Sequence, residues 1–164
     1  MANAAGPVLR ARSLLLTASV PIGAALVLGT VALWIWTRPA YATASDTWSA
    51  YTVVFTAEGL LDPSTRSVWS PGTVPAYVDI DLRGEHPLHR VTVTNSDDFP
   101  HHDVWSDTFV VQLFDGGREV FTERRRFASP TSEERFDVDA IADRIRVTVE
   151  TSHGRGCLAD VSWE

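Results

Sequence analysis

The stretch NSDDFPHHDVWSD, residues 95 to 107, gathers four carboxylates, two adjacent histidines and two aromatic rings in thirteen positions. Imidazole with carboxylate suits Zn²⁺ or Cu²⁺, which would make His101, His102 and Asp103 the ligands. Neighbouring side chains of an extended chain point to opposite sides, so the two imidazoles do not converge on one ion. The stretch reads instead as a loop that meets a partner through Asn95, Phe99, His101, His102 and Trp105, since buried aromatic anchors dominate interface energetics. A second carboxylate pair, Asp79 and Asp81, alternates with Val78 and Ile80, which places it on the solvent side of a strand. Cys157 is the sole cysteine, without a nucleophile signature around it, and reads as a quiet buried thiol. Arg124-Arg125-Arg126, flanked by Glu119, Glu123, Glu133 and Glu134, reads as a solvated strand end. The sequence has no Ser-His-Asp order with flanking glycines, no glycine-rich phosphate loop and no paired metal motif, so no catalytic residue is assigned.

These groups sit in a chain whose charge is divided unevenly. All 21 acids follow Ala42, whereas Arg10, Arg12 and Arg38 are the only charged side chains before it. The later part therefore holds 11 of the 14 arginines against 21 acids, a formal charge of −10. A domain this acidic repels phosphate backbones, which excludes nucleic acid as a partner. With one cysteine no internal disulfide can form, so stability must come from packing.

From Ser13 to Trp36 none of 24 residues is charged. A helix of that length rises roughly 36 Å, enough to cross a hydrocarbon core of about 30 Å. Trp34, Trp36 and Arg38 close the run as a membrane-interface belt, and the arginines at its start put the N-terminus in the cytoplasm. Ala40-Tyr41-Ala42 has the small-x-small form of a leader cleavage site, but the run exceeds the 7 to 15 residues of a leader's apolar core, so retention as an anchor is expected. Ser19 and Gly23, and Ala25 and Gly29, stand four apart, a spacing that lets a second helix approach closely. The expected organisation is a cytoplasmic segment (1–12), a transmembrane helix (13–36), a short linker (37–49) and one outside domain (50–164), set in a bacterial cytoplasmic membrane with the domain on the periplasmic or extracellular side.

Beyond the linker the apolar pattern has period two. Strands are expected at 51–55, 77–82, 90–94, 108–114, 119–122, 144–149 and 159–163, separated by Ser70-Pro71-Gly72, Arg83-Gly84, Asp115-Gly116-Gly117, Ser129-Pro130 and His153-Gly154. Short strands at this spacing predict an all-β antiparallel sandwich.

LLDPSTRSVWS (60–70), YVDIDL (77–82), FVVQLFDGG (109–117), DRIRVTV (143–149) and CLADVSW (157–163) follow one another as in discoidin, or coagulation-factor type C, domains, which this part of the chain resembles. The resemblance implies a galactose-binding-like jelly roll. It also implies a structural Ca²⁺ held by Asp62 and Asp160 with the carbonyl of Thr65, although Pro63 stands where the family has glycine and Asp160 is shorter than the family's glutamate. Sugar-binding members carry an Asn-Arg loop where this chain has Asn95 and Ser96, so the resemblance speaks for the fold more than for sugar binding.

The short linker favours a non-catalytic accessory subunit, anchored by one helix and docked on a larger respiratory, photosynthetic or transport complex. The alternative is a membrane-anchored carbohydrate-binding module with a glycan as partner.

Overall fold

The computed structural model describes residues 40–50, 53–61, 68–96 and 103–164. The strands are β1 (Tyr41–Ala44), β2 (Ser49–Ala50), β3 (Val53–Val54), β4 (Ala76–Asn95), β5 (Trp105–Asp115), β6 (Arg118–Arg126), β7 (Glu133–His153) and β8 (Leu158–Trp163), with one 3₁₀ turn at Ala57–Leu61. All pairings are antiparallel. No described helix is long and apolar enough to cross a membrane, and the expected span 13–36, with the docking face and tryptophan belt assigned to it, lies outside the described residues.

Two long strands organise the domain. β4 and β7 pair along nearly their whole lengths, with register shifts between Asp81 and His86 and between Leu88 and Arg90. There both strands bend, and Arg83 (φ 65°) and Gly84 (φ 147°) supply the left-handed backbone that the turn of β4 requires. The first half of β4 and the second half of β7 lie in a sheet ordered β1-β4-β7-β5-β6; beyond the bend, β8 pairs with the other half of β4. The segments expected as separate strands at 77–82 and 90–94 are thus the two arms of β4. The arm of β7 at 133–137 escapes the period-two reading because charge crowds it: among Glu133 to Asp137 only Phe136 is apolar.

The inward faces of the two arms meet across the core. Val78, Ile80, Phe109, Val111, Ile145 and Val147 come from one side, and Val91, Val93, Phe136, Leu158 and Val161 from the other, all buried. Phe109 stacks on Phe127 at 4.1 Å between centroids and meets Phe136 edge-on at 5.7 Å, the two geometries that aromatic quadrupoles favour. Trp69 is fully buried, bridges to Leu158 and donates its indole N–H to the Asp46 carbonyl at 3.0 Å, while Trp163 packs against the core opposite Val91. Asp79 and Asp81 face outward as expected, and Asp79 takes a bidentate pair from Arg146 at 2.7 and 2.6 Å.

Two expectations change. Residues 41–44, expected in a linker, are β1: Ala42 lies opposite Ile80 and is 1% exposed, so the sheet reaches into that segment. Arg125 is not a solvated strand end. Its guanidinium lies over the Phe136 ring at 4.3 Å and donates to the Arg135 carbonyl at 2.6 Å, covering an edge of the core.

Candidate functional site

The two ends of the sandwich differ. The bends of β4 and β7 and the start of β1 at Tyr41, opposite Asp81, lie at one end. At the other, β4 ends at Asn95, β5 begins at Trp105, β6 ends at Arg126 and β7 ends at His153. Loop backbone there has no ladder to satisfy its polar groups, so side chains must do it. The three buried polar side chains among the described residues, Ser70, Asn95 and Ser106, are all at this end. Asn95 donates to the carbonyls of Ser106 (2.8 Å) and Ser129 (3.1 Å), and its side-chain oxygen accepts from the Ser106 amide (3.2 Å). Ser106 and Ser70 hydroxyls donate to the carbonyls of Cys157 and Gly156, each at 2.8 Å. This clasp fixes the start of β5 against the turn after β6.

An open cleft of about 340 Å³ lies over the clasp, lined by Trp105, Ser106, Asp107, Arg126 and the segment Phe127–Pro130. Trp105 is half-buried, with its indole stacked on the His153 ring at 4.1 Å and 16°. Asp107 accepts from Arg126 Nε at 2.7 Å and from the Thr151 hydroxyl at 3.4 Å. An exposed ion pair contributes little to stability, with the Arg126 side chain 76% exposed and that of Asp107 33%. Its use is chemical. Carboxylate beside guanidinium offers acceptors and donors in one plane, which two neighbouring hydroxyls can meet reciprocally. An indole supplies the apolar surface against which the C–H face of a sugar ring rests.

The expected site residues separate. Asn95 is 2% exposed and fully engaged in the clasp, so it offers a partner nothing; it positions Trp105 and Asp107 instead. Trp105 lies on β5 as a wall of the cleft. Phe99, His101 and His102 lie outside the described residues, as do Asp62 and Thr65. Asp160 is on β8 opposite Thr94, facing outward. Burial, with a smaller contribution from Glu133, raises its pKa above 3.8, against a hydrogen bond from Ser162 that lowers it. Among the described residues no three His, Cys, Asp or Glu side chains gather as metal ligands. Asp107 and Arg126 were missed because only the β5–β6 register, Thr108 opposite Arg126, brings the last arginine of a charged run beside that aspartate.

No family model and no curated protein matches the chain. Solved structures do. The family 32 carbohydrate-binding module of Clostridium perfringens NanJ, solved with galactose, aligns with a TM-score of 0.63 at 12% identity, over 76% of this chain and 92% of that one. The chain has the fold of these modules. The lectin domain of lectinolysin, solved with Lewis B antigen, gives 0.63 at 21% identity over 77% and 93%. A Streptococcus pneumoniae fucose-binding module gives 0.59 at 21% over 79% and 92%. At these identities the likeness establishes the β-sandwich, and the function has to be argued from the site.

Two outcomes follow. Asn95→Leu strands the carbonyl and the amide of Ser106, whereas the Ser129 carbonyl keeps its bonds from Ser132; at about 1–3 kcal/mol for each buried group left unpaired, denaturant unfolding should show a loss of at least about 2 kcal/mol. Asp160 has its pKa raised in the folded state, so its charge costs stability, a cost absent below pH 3.8 and growing as pH rises through the folded value. In chelator, Asp160→Asn should therefore melt above the wild type at pH 7 and level with it at pH 3.

Proposed function

We propose that the domain is a non-catalytic saccharide-binding module, held at the outer face of a membrane by residues 13–36, with the cleft at Trp105, Asp107 and Arg126 as its binding site. The observation that carries the reading is the cleft itself: an aromatic wall and a carboxylate–guanidinium pair over a rigid clasp, on a fold whose solved relatives include modules bound to galactose and Lewis B antigen. Binding pockets that are preformed and hold a few polar groups in fixed positions lose little free energy to ordering when a ligand arrives. The fold likeness and the engagement of Asn95 in the clasp favour this reading over the accessory-subunit role.

Position in the chain supports display. Strand β1 enters the domain at Tyr41, at the end of the sandwich opposite the cleft. Cleavage after Ala42 would cut β1 in two and remove Tyr41, whose ring lies under the Arg83 guanidinium at 3.8 Å. Retention of residues 1–42 keeps β1 whole. The intact mass of the purified chain should include them, and an N-terminus at Thr43 would contradict the anchor.

We also carry forward a Ca²⁺ held by Asp62, Asp160 and the Thr65 carbonyl as a structural ion. It would offset the cost of the Asp160 charge, so calcium should raise the wild-type melting temperature, by mass action on the folded state, and leave Asp160→Asn unmoved. A wild-type melt insensitive to calcium would remove the ion from the reading.

Calorimetric titration of the full chain with galactose, N-acetylgalactosamine and fucose tests the function. At least one sugar should bind, and Trp105→Ala and Arg126→Ala should each weaken it about tenfold or more, an aromatic wall or charge-assisted hydrogen bond contributing roughly 1.5 kcal/mol or more. Binding of none, with the chain co-purifying in a large complex, would return the accessory-subunit role.

A further inference from the structure

The outer face of the three-stranded part of the domain carries a second groove, of about 400 Å³, distinct from the cleft. Strand register arranges this face as three rows across β7, β4 and β8. Glu133, Thr94 and Asp160 form one row, Arg135, Thr92 and Ser162 the next, and Asp137, Arg90 and Glu164 the third. Adjacent strands lie about 4.8 Å apart, so each row is a short polar ladder, and two rows bear a central hydroxyl. Arg135 Nε donates to Glu133 at 2.7 Å, and Arg90 pairs with Asp137 at 3.3 Å and with Glu164. Trp163 contributes to the groove wall.

The groove therefore repeats the chemistry of the cleft. Each has a carboxylate–guanidinium pair and serine or threonine hydroxyls in a comparable volume, and each is bordered by a tryptophan, although Trp163 itself packs against the core opposite Val91. The two are neighbours in the chain, since Pro130 lines the cleft and Glu133 the groove. We infer that this groove is a second saccharide-binding site, taking a neutral or amino-sugar chain and rejecting uronic acids. The inference rests on the saccharide-binding reading of the cleft. Exclusion of acidic sugars follows from the face itself, where Arg90 and Arg135 stand against the three carboxylates of Glu133, Asp137 and Glu164, Asp160 being neutralised together with Asp62 by the calcium proposed above. An ammonium group gains from that surplus, a hydroxyl is indifferent to it, and a carboxylate is repelled. Two sites on one small domain would also strengthen its hold on a polymer that reaches both, because the first contact raises the effective concentration for the second.

Backbone amide shifts of the isotope-labelled full chain, in a detergent without a sugar headgroup, test the inference. The probes are hexamers of glucosamine, N-acetylglucosamine and galacturonate. The glucosamine or N-acetylglucosamine hexamer should shift the amides of Thr92, Arg135 and Ser162. Those shifts should survive Arg126→Ala in the cleft and weaken about tenfold or more in Arg135→Ala. If the cleft amides respond while the groove amides stay still, the second site is overturned and the cleft reading stands. An equal groove response to galacturonate overturns the ligand class, and silence of the groove amides toward all three hexamers overturns the second site, while the cleft reading stands or falls on the galactose, N-acetylgalactosamine and fucose titration.

Discussion

The pairing of β4 with β7 is the constraint from which the rest of the domain follows. The two strands run together through a common bend, so one hydrogen-bonded ladder belongs to both faces of the sandwich. The other strands of the six-stranded sheet take their places from them, while β2 and β3 pair only with each other. β1 and β8 add to the free edge of β4 on either side of the bend, β5 pairs with β7, and β6 closes on β5. Because period-two alternation continues through both arms, the apolar faces of the arms look at one another, and Phe109 meets Phe136.

That arrangement leaves two unlike ends. At the bends the chain turns within its own ladder. At the far end strands stop and loops must be stitched by side chains, which is where Asn95, Ser106 and Ser70 are spent. A site built over such a clasp is positioned by hydrogen bonds that cannot be broken without leaving buried groups unpaired, so its geometry is preformed. On the proposed reading Asn95 links stability and function: it is buried away from the cleft and holds Ser106, between Trp105 and Asp107.

Period two made the strands at 77–82 and 144–149 readable, because in each Val or Ile alternates with a polar residue, and that at 108–114 readable because Phe109, Val111 and Leu113 fall on one face. The two-sheet architecture was readable from the order of the five motif segments. β1 was not, since YATA is short and its inward residues are only the small Ala42 and Ala44. The first arm of β7 was hidden by the charges that cover its outer face. The site was less legible than the fold. Trp105 drew notice as an aromatic in a polar stretch, but its partners Asp107 and Arg126 are 19 residues apart in sequence and meet only through strand register. Asn95 looked like an exposed loop residue because composition cannot tell an asparagine facing a partner from one that caps loop carbonyls.

The central claim is that Trp105 and the Asp107–Arg126 pair hold a sugar ring. Saturation-transfer NMR on the full chain with a panel of neutral glycans addresses it at the level of atoms. The account predicts that the C–H protons of one face of a bound ring receive saturation, and that Trp105→Leu removes the transfer while the amide spectrum of the core is kept. A panel in which no glycan receives saturation, or one whose transfer is unchanged in Trp105→Leu and Arg126→Ala alike, would contradict it.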